Sequence, residues 1–406
     1  MKKLILVTLV LCMALSACTK AEVGKAPTAE SAAASSVEST ASGGKSAASE
    51  VSLPEKTKTA AHVTKTLSSG VVVDADVTMP ESMQKTELPE MKGTGHEVAH
   101  EGLSEVFFGG AEVESTVTEI ADNGYFSSDT MHELWQVGDA VLSAVGDSAA
   151  YSNGRATTAM YLFSEYASSL PFGDNRAVYL TGKNLDFATI DEVKAKVQTY
   201  IDALGVSVLE PTCYTMDYDT MRDVYDGRTA LETYDADFDF IIEPQKKDEQ
   251  YIFDYPIAVN GMPLGNFEGG GYSDDSYMTG TFLRMTYGEE GIRAMTLPYA
   301  LDVTEVGAMQ PVLTLDEALQ IVDDKYNSII MEGNYKIDKI EMAYTPIQQQ
   351  NVTEAKIIPV WRFQTNHTLQ YSAKNDSNEI VEMTDTSYIL INALDGTELL
   401  KNNGSI

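Results

Sequence analysis

Thr189-Ile190-Asp191-Glu192-Val193 and Thr314-Leu315-Asp316-Glu317-Ala318 are one phrase written twice, each with a Thr three residues ahead of a Glu. At that spacing the hydroxyl accepts from an orphan amide of the first turn while the carboxylate reaches back to the Thr amide, so both phrases predict a helix start. Behind the first, Ile190, Val193, Val197, Tyr200, Ile201 and Leu204 share one helical face, and Gly205 offers a left-handed stop. Behind the second, Leu315, Ala318, Leu319, Val322, Ile329 and Ile330 repeat the pattern.

Strand-like stretches trail each helix. The first is followed by 231–243, by 251–259 with its Asn260-Gly261 turn, and by 282–287 and 292–303; the second by 335–344, 357–365 and 388–393, ending in an Asp395-Gly396 turn. A helix followed by antiparallel strands, twice over, predicts an α+β fold of tandem helix-on-antiparallel-sheet domains. Upstream, VVVDADVT at 71–78 is a β-branched run with Asp at alternate positions, closed by Met79-Pro80, and is expected to be a strand. Helical patterning around 98–108, 130–145 and 157–170 completes an expected N-terminal α+β unit. The resulting partition is 1–18 signal, 19–65 tether, 66–183 N-terminal unit, 184–307 first repeat and 308–406 second repeat.

The chain opens with Lys2 and Lys3, an apolar run over 4–15 and then Leu15-Ser16-Ala17-Cys18. The run is too short to span a bilayer, and small residues precede the cysteine, which is the form of a lipoprotein signal with Cys18 as the lipidated residue. The expected location is the cell membrane, lipid-anchored on its extracytoplasmic face. From 19 to about 52 the residues are Ala, Ser, Thr, Glu and Gly without hydrophobic period, the composition of a flexible spacer. Gly44-Lys45-Ser46 within it imitates a phosphate loop, but Ser39 stands where that loop needs glycine.

Composition removes some functions. Lys and Arg total 28 against 61 acids, a formal charge of −33, so nucleic acid is excluded as a partner and anionic headgroups are disfavoured. Of three cysteines, Cys12 leaves with the signal and Cys18 takes lipid, which leaves Cys213 without a disulfide partner in the chain.

His96-Glu97-Val98-Ala99-His100 is the sharpest chemical signal. On a helix His96 and His100 would share a face and hold zinc, with Glu97 activating water as in a hydrolase. Gly93 and Gly95 just before it, and Glu101-Gly102 just after, are poor neighbours for such a helix. Asp235-Ala236-Asp237-Phe238-Asp239 imitates the start of a calcium loop, but Phe240 replaces the glycine and Lys246 the acid. The stretch 213–277 is rich in Tyr and Asp, with Tyr214, Tyr218, Tyr225, Tyr234, Tyr251, Tyr255, Tyr272 and Tyr277, side chains suited to a sugar or peptide groove that the glycine-rich loop 268–275 would close. No Ser-His-Asp arrangement or nucleophile elbow is recognisable.

LTLDEALQIVDDKYN, IDKIEMAYTPI, AKIIPVWRF and YILINALDGTEL resemble the carboxy-terminal part of the YycH and YycI type extracytoplasmic regulators, and the last is similar to the ending of a PepSY-type domain. Upstream, YPIAVNGMPL and GIRAMTLPY resemble a preceding repeat, and the layout including VDADVTMP resembles a group of clostridial (Firmicutes) lipoproteins. The resemblance covers about 186–402. It implies tandem PepSY/YycI-like domains that act without catalysis, by contact with a membrane histidine kinase or by restraining a peptidase. It carries over no catalytic residues and no cofactor. The regulators keep a transmembrane helix where this chain has a removable signal. The function expected from the sequence is therefore a non-catalytic, lipid-anchored regulatory or protein-binding module. The alternatives are a zinc hydrolase using His96, Glu97 and His100, and a sugar- or peptide-binding lipoprotein for a small ligand.

Overall fold

The computed structural model describes residues 57–120, 130–154, 162–163, 176–229, 243–265, 271–273, 276–278, 280–329, 333–349, 354–372 and 380–399. All of them fall within the unit Glu55–Ile406. Both capping boxes form as expected. The helices that follow them are two of four among the described residues: α1 (Leu103–Phe108), α2 (Ile190–Leu204), α3 (Tyr218–Thr229) and α4 (Leu315–Asn327). Thr189 Oγ1 accepts from the Glu192 amide at 3.3 Å and Thr314 Oγ1 from the Glu317 amide at 3.3 Å, while each Glu accepts from its Thr amide at 2.8 Å. Those carboxylates have lowered pKa values, chiefly because they accept from the Thr amides.

The rest is mostly strand. In chain order these are β1 (Thr57–Thr66), β2 (Val72–Pro80), β3 (Glu87–Gly95), β4 (Glu114–Ile120), β5 (Thr130–Val137), β6 (Ala140–Val145) and β7 (Ser148–Ser152). Then come β8 (Thr212–Met216), β9 (Gln250–Tyr255), β10 (Ala258–Val259), β11 (Met262–Pro263), β12 (Gly271–Ser273) and β13 (Ser276–Met278). The last are β14 (Leu283–Gly288), β15 (Gly291–Leu297), β16 (Leu301–Pro311), β17 (Asn334–Gln349), β18 (Ala355–Ser372) and β19 (Ile380–Asn392).

These strands do not assemble as tandem helix-on-sheet domains, and the expected PepSY/YycI-like α+β architecture is corrected to a mostly β fold with two large curled sheets. One sheet has nine strands, ordered β1-β2-β17-β18-β3-β16, with β19 on β18 and the β12–β13 hairpin on β17. The other has eight, ordered β4-β5-β6-β7-β15-β14-β9-β8. Strands from the start of the described chain thus pair with strands from its end: β2 runs parallel to β17 with Val73 opposite Ile337, and β3 is hydrogen-bonded to both β16 and β18. The two helical phrases share a local capping signal. Pairing partners hundreds of residues apart leave no such local mark, so the repetition did not extend to the sheets.

VVDADVTMP keeps the expected alternation, with Val73, Ala75 and Val77 buried and Asp76 exposed. The inward side chains join a core that also takes Tyr251, Phe253, Met285 and Met295 from the second sheet, the buried face of α2 and the Ala318, Leu319, Val322 face of α4. Each fully buried aliphatic side chain there is worth about 1.5–3 kcal/mol relative to exposure.

Three local expectations are also corrected. The run 130–145 forms β5 and β6, because Gly138 adopts φ 60° and turns the chain after Val137. Within 98–108 only Leu103–Phe108 is helical, entered through Gly102 at φ 78°. The helix α3 falls in the Tyr- and Asp-rich stretch, where no helix was expected; its start is marked by Asp217, whose carboxylate accepts from Thr220 N at 3.3 Å and Thr220 Oγ1 at 2.8 Å. The expected strand over 231–243 and helix over 157–170 lie almost wholly outside the described residues.

Candidate functional site

Three elements and two turns meet around one cleft. Helix α1 ends at Gly109 in the left-handed region and turns Phe107 inward. In β7 the alternation puts Ala149 and Tyr151 on the core side. On α2, Tyr200 follows Val193 and Val197 along the packed face, at its solvent border. Asp139, in the turn between β5 and β6, and Glu290, in the turn between β14 and β15, also line the cleft, the second turn made possible by Gly291 at φ 113°.

The cleft is open to solvent, with a volume of about 420 Å³, and is lined by Phe107, Tyr151 and Tyr200, by Asp139, Asn153 and Glu290, and by Val137, Ala140, Gly291 and Ile292. Phe107 sits between the two tyrosines, with ring centroids 5.1 Å from Tyr151 and 5.0 Å from Tyr200, tilted by 46° and 60°. Tyr151 is 6% exposed, and neither its hydroxyl nor that of Tyr200 makes a hydrogen bond among the described residues. Burial, with Tyr200 nearby, pushes the Tyr151 phenol up to about 12; burial and Tyr287 raise Tyr200 as well. Both therefore stay neutral and able to donate. Asn153 is fixed by its backbone amide, which donates to Arg293 O at 2.9 Å. Lys196, one turn before Tyr200, lies over the Tyr287 ring at 5.9 Å and does not line the cleft. Such an arrangement can hold a small polar molecule and offers no nucleophile paired with a base.

The motif residues are elsewhere and apart. Residues 96–100 are not helical but extend from the end of β3, with the His96 amide donating to Ala300 O and the Val98 amide to Gly146 O, each at 2.9 Å. His96 Nδ1 is 3.0 Å from Asp302 Oδ1 and its Nε2 is 3.2 Å from Leu204 O, at the C-terminus of α2. His100 Nδ1 instead faces Glu133 Oε2 at 3.3 Å, with its ring edge-on to Trp135 at 5.6 Å. Glu97 is exposed. The shared helical face that zinc binding by His96 and His100 needs is thus absent, and no group of three metal-ligating side chains occurs among the described residues.

Cys18, the calcium-like run 235–239 and Tyr234 lie outside the described residues. Cys213 is half-buried, and burial pushes its thiol up to about 12, against nucleophilic use. Of the tyrosines in 213–277, Tyr214, Tyr251 and Tyr255 are buried, and Tyr218 and Tyr225 sit on α3. None of them lines the cleft. The residues that do line it were missed because they come from five separate stretches of sequence, with no shared composition to mark them.

No protein-family model matches the chain, and no curated protein matches it. Among solved structures, an uncharacterized protein from Eubacterium rectale ATCC 33656 is similar, with a TM-score of 0.59 and 18% identity over 81% of this chain and 90% of that one. At that identity the likeness is one of fold. Among the described residues no helix is long and apolar enough to cross a membrane.

Proposed function

We propose that the protein is a non-catalytic, lipid-anchored binding protein of the extracytoplasmic face, and that the cleft between Tyr151 and Tyr200 is its ligand site. The observation that carries the ligand site is the cleft itself, lined by Tyr151 and Tyr200, whose phenol groups make no hydrogen bond among the described residues and so are open to a partner. The anchor is supported by the signal ending at Cys18 and the spacer behind it. Metabolic labelling with a fatty acid tests the anchor: label should enter the wild-type chain, and Cys18→Ser should lose both label and membrane fractionation. Retention of label in the variant would overturn it. Thermal shift of the detergent-solubilised full chain against sugars, amines and peptides tests the cleft, with stabilisation by at least one class expected and abolished by Tyr200→Ala.

A protein partner such as a membrane kinase or peptidase is a second reading. It is favoured by the outer strand β16, where Val306 and Met309 are 50% and 51% exposed. Photocrosslinking from position 306 in native membranes should then recover one defined membrane protein. A pattern no different from that of a crosslinker at the exposed Glu81 would count against it.

A further inference from the structure

Resting on the cleft as a ligand site, we infer that its ligand is a neutral saccharide. None of the residues lining the cleft is Lys, Arg or His, and Asp139 and Glu290 are among them, so an anionic ligand meets repulsion with no compensating cation. Glu290 is already engaged within the protein, which leaves Asp139 as a single carboxylate and weakens the case for a cation. What remains is a hydrogen-bonding surface for hydroxyl groups. The Tyr151 and Tyr200 phenols are held neutral, each a donor and an acceptor, and the Asp139 carboxylate makes no hydrogen bond or ion pair among the described residues. Tyr200, half-exposed at the border, adds an apolar ring against which the C–H face of a sugar can lie. The space of about 420 Å³ lies at the small end of ligand pockets.

The test is calorimetric titration of the detergent-solubilised full chain with neutral disaccharides of glucose, galactose and N-acetylglucosamine, alongside glucuronate and glucosamine as charged probes. Saturable binding of a neutral disaccharide is expected, with no binding of glucuronate. Tyr151→Phe, which removes only the hydroxyl, should weaken it about threefold to tenfold, and Tyr200→Ala or Asp139→Ala at least about tenfold. A deoxy analogue lacking the bonded hydroxyl should be rejected more strongly than any of these variants. Unaltered circular dichroism separates lost binding from lost folding. No binding of any neutral disaccharide, or binding that all three variants leave unchanged, would overturn the inference. If glucosamine or a peptide bound instead and Tyr200→Ala abolished it, the saccharide would fall while the cleft stood as a ligand site. If no class of solute bound, both would fall.

Discussion

Arg284 Nε and Nη2 lie 2.6 and 2.7 Å from the two carboxylate oxygens of Asp254, directly across the β14–β9 ladder, with each residue 8% exposed. The guanidinium also lies 5.2 Å from the Phe163 ring and 5.0 Å from Phe282. Burial pushes the Asp254 carboxyl up and the Arg284 guanidinium down, and the bidentate contact offsets that penalty for both. Removing one partner strands the other. Arg284→Met or Asp254→Leu alone should each cost about 3–5 kcal/mol in denaturant unfolding, and the double variant should recover most of the loss. Equal, additive losses would show that the two residues do not act as a pair.

A second clip joins distant parts of the chain. The turn after β1 is held to α4 by Asp323, which accepts from Ser68 N at 3.1 Å, Ser68 Oγ at 2.7 Å and Ser69 N at 2.8 Å. Burial works to raise this carboxyl, but the hydrogen bonds from Ser69 and Ser68 outweigh it and hold it at about 2. Its folded value is thus below the unfolded one, so the stabilisation is present above about pH 4 and is lost as pH falls through 2. At pH 7 Asp323→Ala should cost roughly 1.5–3 kcal/mol, the range for hydrogen bonds to a charged group. The difference between wild type and variant should narrow as unfolding is repeated toward pH 2; a gap independent of pH would contradict the assignment.

On the exposed side of the same strands, His62 of β1 places Nδ1 2.8 Å from Asp76 Oδ1 and Nε2 3.1 Å from Asp74 Oδ1. Only the imidazolium can donate to both. Its pKa is raised above 6.5 by the hydrogen bond to Asp76 first and that to Asp74 second. A histidine with a raised folded value stabilises fully below its unfolded pKa, and the effect disappears as pH rises through the folded one. Proton NMR should therefore place the His62 titration above 6.5, and His62→Gln should match wild type in stability at alkaline pH while falling behind it at pH 5.5. A titration at or below 6.5 would exclude the bridging geometry in solution.

His96 closes the C-terminus of α2, where Gly205 at φ 71° would bring an added Cβ within 3.2 Å of His96 Nε2. His96→Ala should lower stability by about 1–2 kcal/mol, with chelator present or absent, and Gly205→Ala by about 1 kcal/mol or more. Glu97→Gln, at an exposed position, should stay within about 0.5 kcal/mol of wild type. Stability of the wild-type chain that rose with added zinc and did not rise in His96→Ala would restore a metal role for the motif.

Sequence alone determined the features whose physics is local. Thr189 and Thr314 find their Glu partners three residues away, Val73, Ala75 and Val77 alternate with exposed or half-exposed neighbours, and Asn260 with Gly261 turns a hairpin; each is decided within a few bonds of backbone. The proposed lipid anchor likewise rests on short-range order alone, the residues from Lys2 to Cys18. Tertiary structure alone decided that β2 would lie parallel to β17, that Arg284 would meet Asp254, that His96 and His100 would part to Asp302 and Glu133, and that Tyr151 and Tyr200 would flank one cleft. These relationships depend on sheet register and on burial between segments far apart in the chain, and many pairings satisfy the same alternation until the whole core is packed.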